Sequence, residues 1–164
     1  MVKKQKAESI LTPHQKEVLE AVASEKYFTD RYYLAGGTAL AEFYLKHRLS
    51  EDLDFFTEKR EVNYPLVIKF FENKARTLKI KKIETKKVFG LYSLFITFTD
   101  EEKLKVDFNF YPFPRINKGP RYINLIIEDI YDIGVDKVHT VVMKPRARDF
   151  IDIYFIIREK RYDF

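Results

Sequence analysis

From Asp52 the chain reads Asp-Leu-Asp-Phe-Phe, and this short run constrains the fold more than any other. Side chains two apart on a β-strand share a face. Leu53 then points into a core and Phe55 and Phe56 continue a buried strand, while Asp52 and Asp54 stand together on the opposite face. Two carboxylates so placed repel each other and resist burial. The sheet therefore needs one apolar face and one face that meets positive charge. A hard divalent cation suits paired oxygen ligands and also holds phosphate oxygens. The alternative is an acidic strand edge or a cap at the neighbouring turn, with Glu51 and Asp52 as plain surface charge.

A glycine pair lies just upstream. Tyr32 to Ala35 reads as a short strand, Gly36-Gly37 breaks it, and helix formers follow from about Thr38 to His47. Consecutive glycines let the backbone approach a ligand closely. The helix beyond offers free N–H groups and a partial positive charge to phosphate, and Thr38 adds a hydroxyl. The same sequence also makes a tight turn with no ligand.

Asp107 is the third acid, in a strand of otherwise apolar character. Val106 and Phe108 face one side of it, Asp107 and Asn109 the other. If that strand lies beside Asp52–Asp54, three carboxylates meet on one sheet face. Such a set can hold two metals, and one member can act as general base on an attacking hydroxyl. The competing reading is a lone aspartate at a strand end.

The rest of the chain supplies the frame. Thr12 is an N-cap, Pro13 takes the first helical position and Gln15 completes a capping box, with Val18, Leu19 and Val22 at helical spacing. A helix follows at Tyr64. Three strands in a meander are predicted over 80–113, joined near Gly90 and at Thr99–Glu102 and ended by Pro112 and Pro114. The run Arg121–Ile127 adds an edge strand, and helices over 128–143 and 146–160 close the chain around Lys144-Pro145. The order predicts an α+β or α/β class with a mixed sheet. At 164 residues it fits one domain, 1–164, with a core over about 31–115 and a C-terminal helical part over about 128–160.

Composition excludes several chemistries. With no cysteine there is no disulfide scaffold, thiolate zinc site or cysteine nucleophile. His14, His47 and His139 are scattered without ligand spacing, so no zinc site is expected. No apolar run has the length of a signal peptide or a membrane span, and a cytoplasmic location without membrane contact is expected. A net charge of +5 permits a nucleic-acid or nucleotide partner but equally fits a lysine-rich surface.

With these residues in hand, the stretch from Tyr32 to Phe56 resembles the signature of the AbiEii-type nucleotidyltransferases, within the polymerase-β-like superfamily. The shared features are Gly36-Gly37-Thr38-Ala39-Leu40 and His47-Arg48-Leu49-Ser50-Glu51-Asp52-Leu53-Asp54-Phe55-Phe56. Asp107 matches the family's later acid, and Lys137 and Arg146-Ala147-Arg148-Asp149 its C-terminal motifs. The resemblance implies a nucleotidyltransferase-like mixed sheet flanked by helices, with C-terminal helices. It implies transfer of a nucleoside monophosphate from an NTP to an RNA, such as tRNA, or to a protein acceptor. Asp52, Asp54 and Asp107 would bind Mg²⁺ or Mn²⁺, and Asp107 is alternatively the base. Gly36, Gly37 and Thr38, with Arg48 and Ser50, would cradle the nucleotide. Lys137 would neutralise phosphate charge, and Asp149 would orient the catalytic face, Asp152 being the other candidate. Many members are toxins of toxin–antitoxin or phage-defence pairs, so a separately encoded antitoxin is an expected partner. The alternative is a non-catalytic nucleotide- or RNA-binding protein that keeps the fold.

Without the resemblance, plainer expectations apply. Arg48 contacts phosphate or pairs with Asp52, and Lys137 is a solvated helix residue. The basic run Lys79–Lys87 is either a protected sheet edge or a track for an RNA backbone. Tyr92, Phe95 and Phe98 are expected to pack in the sheet or core and not to stack on bases.

Overall fold

The computed structural model describes residues 9–59, 62–88 and 91–160. The expected turn near Gly90 and the first eight residues lie outside the described residues.

Seven strands form one mixed sheet: β1 (Tyr33–Ala35), β2 (Asp52–Thr57), β3 (Ile80–Val88), β4 (Leu91–Phe98), β5 (Lys103–Phe110), β6 (Arg121–Tyr122) and β7 (Leu125–Ile127). Their spatial order is β3-β4-β5-β2-β1-β7-β6. β2 runs antiparallel to β1 and parallel to β5, whereas β3, β4 and β5 form the expected antiparallel meander. The predicted edge strand becomes a hairpin, β6–β7, that turns at positive-φ Ile123 and docks parallel to β1.

Helices cover one sheet face. α1 (Pro13–Ala23) begins with the expected capping box, Thr12 accepting from the Gln15 N–H and the Gln15 side chain accepting from the Thr12 N–H. It buries Val18, Leu19 and Val22; after the short α2 (Lys26–Thr29), α4 (Tyr64–Lys74), capped by Asn63, buries Val67, Phe70 and Phe71. Beneath them lie Leu53 and Phe55 of β2, Leu94, Ile96 and Phe98 of β4, and Leu104, Val106 and Phe108 of β5. Phe108 is the hub, with ring centroids of Phe55, Tyr32 and Phe28 at 4.9, 5.2 and 5.3 Å. Truncating such a residue to alanine costs about 3–5 kcal/mol.

The opposite face carries Asp52, Asp54, Lys105, Asp107 and Asn109. Over it, at the β1–β2 end, the two C-terminal helices α5 (Ile130–Met143) and α6 (Ala147–Lys160) pack on each other and on the helix that follows β1. That helix departs from expectation. It starts at Gly36 itself as α3 (Gly36–Leu40), continues as a π-helical turn over Ala41–Leu45, and ends at Lys46 in the left-handed region, not at His47. The one extra residue per turn rotates the following segment and aims His47 and Arg48 at α6.

Candidate active site

The acids converge by register. Asp54 is the Cα partner of Asp107 across the parallel β2–β5 pair, and Asp52 is the partner of Lys105. Partners across neighbouring strands share a face, so Asp52, Asp54 and Asp107 stand on one side of the sheet. All three line one cleft, with Gly36, Gly37, Arg48, Ser50, Lys105 and Lys137. Burial, then Asp107 and Asp52, push the Asp54 carboxyl up to about 6.

Lys105 stands among these acids. Its Nζ donates to Asp107 Oδ2 at 2.6 Å and lies 4.0 Å from Asp52 Oδ2. Burial pulls this ammonium down, but Asp107, Asp52 and Asp54 more than offset it, and its pKa lies above the usual lysine value. Among the described residues, Asp107 Oδ1 is buried with no hydrogen-bond partner. The three aspartates of the sheet face, with Lys105 as the cation set among them, Asp54 raised and one Asp107 oxygen orphaned, leave unmet demand for positive charge, and three hard oxygen donors on one face fit Mg²⁺ or Mn²⁺.

The glycine pair is pressed against this set. Gly36 has φ +69°, and a methyl group there would lie 2.5 Å from Asp54 Oδ2. A methyl group on Gly37 would collide with Arg48 Nη2 and lie 3.1 Å from Ser50 Oγ. Glycine is thus needed at both places for close approach. Thr38 departs from the reading that it cradles a nucleotide. It is fully buried, and its hydroxyl donates to the Asp52 carbonyl, joining α3 to β2. Its hydrogen is committed to the scaffold.

A buried ionic lattice forms the far wall. Arg48 does not pair with Asp52; it donates from Nε to Asp152 Oδ1 at 2.7 Å and from Nη2 to Oδ2 at 2.8 Å. His47 Nε2 lies 2.8 Å from the same Oδ1. Lys137 is no solvated lysine: its Nζ lies 2.8 Å from both Asp149 Oδ1 and Asp152 Oδ2. Arg146 Nε donates to Asp149 Oδ2 at 3.0 Å. Burial alone would raise Asp152, yet Arg48, His47 and Lys137 hold it well below the carboxylate range; burial works against Asp149 too, but Arg146 and Lys137 lower it below its ordinary value. Both acids have fully buried side chains and lie behind the cleft lining, whereas Lys137 reaches it. Asp149 and Asp152 thus hold cations and do not themselves line the cleft.

Sequence reasoning missed a second acidic pair in the cleft. Burial, and then Asp136 and Asp132, push Glu128 well up, and burial first also raises Asp136, which accepts from the Tyr111 hydroxyl at 2.7 Å. No local pattern marks them, because Glu128, just after β7, and Asp136, within α5, come together only once α5 has formed. Also unforeseen, His14 Nε2 lies 2.8 and 4.0 Å from carboxylate oxygens of Asp100 and Glu102, a group able to hold a metal on the helix-covered side. No helix among the described residues is long and apolar enough to cross a membrane.

Comparison with known proteins fits this geometry. A family model described as nucleotidyl transferase AbiEii toxin, type IV TA system, matches residues 17–164. An uncharacterized protein of Aquifex aeolicus (strain VF5) is 30% identical over 160 residues, covering 93% of this chain and 70% of the relative. Among solved structures, JHP933 from Helicobacter pylori superposes with a TM-score of 0.63 at 21% identity over 90% of this chain and 67% of its own. The nucleotidyltransferase toxin MenT4 of Mycobacterium tuberculosis gives 0.55 at 18% identity, covering 83% and 55% of the respective chains. The Megavirus polyadenylate synthase gives 0.58 at 13%, covering 92% and 33%. At these identities the solved structures speak for the fold alone.

Proposed function

The chain belongs to the AbiEii nucleotidyl transferase toxin family, and on that premise we propose that it moves a nucleoside monophosphate from an NTP to the hydroxyl of an RNA or protein acceptor. The bond formed joins the α-phosphorus to the acceptor oxygen. The bond broken releases pyrophosphate, and the hydroxyl proton leaves to a base. One observation carries this reading: the β2–β5 register sets Asp54 beside Asp107, with Asp52 on the same face, opposite the Gly36-Gly37 turn.

Asp52, Asp54 and Asp107 would hold Mg²⁺ or Mn²⁺, which when bound supplies Lewis-acid stabilisation of phosphoryl charge. The chain's own groups do the rest. The bare backbone at Gly36 and Gly37 lets a triphosphate approach the start of α3. Ser50 and the guanidinium of Arg48 edge the same wall, and Lys137 offers positive charge already oriented by Asp149 and Asp152. Fixed charges that need no reorganisation favour the transition state most. Asp107, with an oxygen that has no hydrogen-bond partner among the described residues, is the group on this face suited to take the acceptor's proton. Thr38 and Asp149 serve as supports in this reading. The setting is the cytoplasmic toxin half of a toxin–antitoxin pair.

Incubation with each α-labelled NTP, Mg²⁺ or Mn²⁺ and total RNA, wild type against Asp54→Asn, tests it. Label in RNA or protein that vanishes in the variant, with the fold retained, is the expected outcome. No transfer with any NTP would favour the non-catalytic nucleotide- or RNA-binding protein.

A further inference from the structure

The catalytic face of the sheet continues past the acids toward β7 and α5. Tyr33 is the Cα partner of Phe56 in β2 and of Ile126 in β7. Partners across strands share a face, and so do residues two apart along one strand. Asp54, Phe56, Tyr33, Ile126 and Glu128 therefore stand on one side. The Glu128 N–H extends the β1–β7 ladder by donating to the Leu34 carbonyl at 2.9 Å. Strands lie about 4.8 Å apart, so the Glu128 backbone sits about 10 Å from that of Asp54, two strands away.

This end of the cleft is a chamber with its own chemistry. Phe56, Ile133, Thr140, Glu128 and Asp136 line it, and the Phe56 ring is stacked on Tyr111 with centroids 5.2 Å apart. Three buried polar atoms here have no hydrogen-bond partner among the described residues: Glu128 Oε2, Asp136 Oδ2 and Tyr33 Oη. Glu128 and Tyr33 are each only 1 to 2% exposed at most, Glu128 at 1% and Tyr33 at 1%. Glu128 and Asp136 bond side chain to side chain, and the charge of both reaches Tyr33. Buried carboxyls in such contact do not both ionise, so they share a proton. Each then keeps a further oxygen as an acceptor, and Tyr33 keeps a hydrogen to donate. Arg115, whose charge lowers Glu128, is itself engaged by Glu58. Orphaned buried groups call for a partner, and these specify one: donors for two acceptors, and an acceptor for one hydroxyl, beside an aromatic ring.

We propose that this chamber takes the base of the incoming NTP and requires an exocyclic amino group on it. The N–H bonds of the amine go to Glu128 and Asp136, the Tyr33 hydroxyl donates to a neighbouring ring nitrogen or carbonyl, and the base lies against Phe56. Cytosine, adenine and guanine carry such an amine. Uracil and hypoxanthine lack it, and a carbonyl in its place would turn lone pairs on the carboxyl oxygens. A site built to bond a substrate N–H rejects the analogue without it, because its own buried groups are left unpaired. With the phosphates at Gly36-Gly37 and the base in the chamber, one nucleotide spans the cleft past Asp54. The inference rests on the transferase reading and adds a base preference to it.

The test separates the two. Calorimetry with Mn²⁺ measures binding of three matched pairs: CTP against UTP, ATP against ITP and GTP against ITP. Transfer to total RNA and protein is followed in parallel. The tightest amino nucleotide is expected to bind about 10- to 100-fold better than its deaminated counterpart, the effect of unpaired buried groups. Glu128→Met removes an acceptor and should erase most of that preference. Glu128→Gln should keep it, because the amide donates to Asp136 and its oxygen still accepts from the amine. Melting temperatures establish that both variants fold, and the wild-type pairs decide the matter without them. UTP or ITP as the tightest ligand, or no difference within any pair, overturns the inference, as does a preference that folded Glu128→Met leaves intact. Amine-dependent binding without any transfer supports the chamber while overturning the transferase reading. Transfer with equal affinity within every pair does the reverse, and no binding of any NTP overturns both.

Discussion

Arg48 and Asp152, separated by 104 positions in the chain, meet in a two-pronged contact with heavy-atom distances of 2.7 and 2.8 Å. The pair ties the segment entering β2 to α6, and Lys137 and His47 join it from two further sides. A planar guanidinium matched to a carboxylate gives direction as well as charge. Arg48 is thereby held close against Gly37, at the wall where a triphosphate is proposed to lie.

Removing Asp152 should therefore be costly. Its side chain is fully buried, and Asp152→Ala leaves Arg48, His47 and Lys137 without their shared anion. Breaking a buried ion pair from one side costs about 3–5 kcal/mol. Urea denaturation of the variant reads this directly; a loss below about 1 kcal/mol would mean the lattice is not what joins α6 to the sheet.

Metal-free protein should lose stability as pH rises from about 4 to about 6. Asp54 titrates at about 6 in the fold against 3.8 for the ordinary group. The folded state thus holds this proton more tightly than the unfolded chain. The resulting stabilisation is full below the unfolded value and is lost as pH climbs through the folded one. Its ceiling is about 3 kcal/mol. Thermal denaturation in EDTA across this range should show the decline, and Asp54→Asn should flatten it and be more stable than wild type at pH 7. A wild-type curve no steeper than that of Asp54→Asn would show that Asp54 is not strained.

Lys105→Met should expose the cation demand of the acids. Without metal the variant melts below wild type, because Asp107 loses its 2.6 Å partner. Saturating Mn²⁺ should narrow that gap and raise the melting temperature more in the variant than in wild type, since no resident ammonium competes. Equal shifts with Mn²⁺ in both proteins would refute a shared cation position.

Gly36→Ala should damage the site from the backbone side. A side chain at φ +69° costs about 1–2 kcal/mol, and its methyl group meets Asp54 Oδ2. Transfer should fall by more than the modest drop in melting temperature accounts for. Full activity with alanine would show that the turn does not set the position of Asp54.

Much of this arrangement is legible in local sequence because its determinants are local. Alternation alone puts Leu53 and Phe55 inward and Asp52 and Asp54 outward, and Thr12-Pro13 with Gln15 announces α1. Other features depend on which elements become neighbours. Nothing near Ala41–Leu45 signals a π turn, and nothing near Arg48 names Asp152 as its partner. Lys105 reads as one more strand lysine until β5 lies beside β2. Phe95 misleads for a related reason: alternation shows two faces, but not that the helices over the second face stop short of β4, leaving this ring partly exposed.

Two of the three acids owe their adjacency to the pairing of strand interiors and not to loops. Segments joining these strands can therefore lengthen, shorten or drift in composition while the carboxylates stay together. Inserting or deleting one residue inside β2 or β5 would turn an acid to the apolar side and end the chemistry at a stroke. Homologues of this chain should accordingly differ most in the length of their connections and hardly at all in the spacing within these two strands.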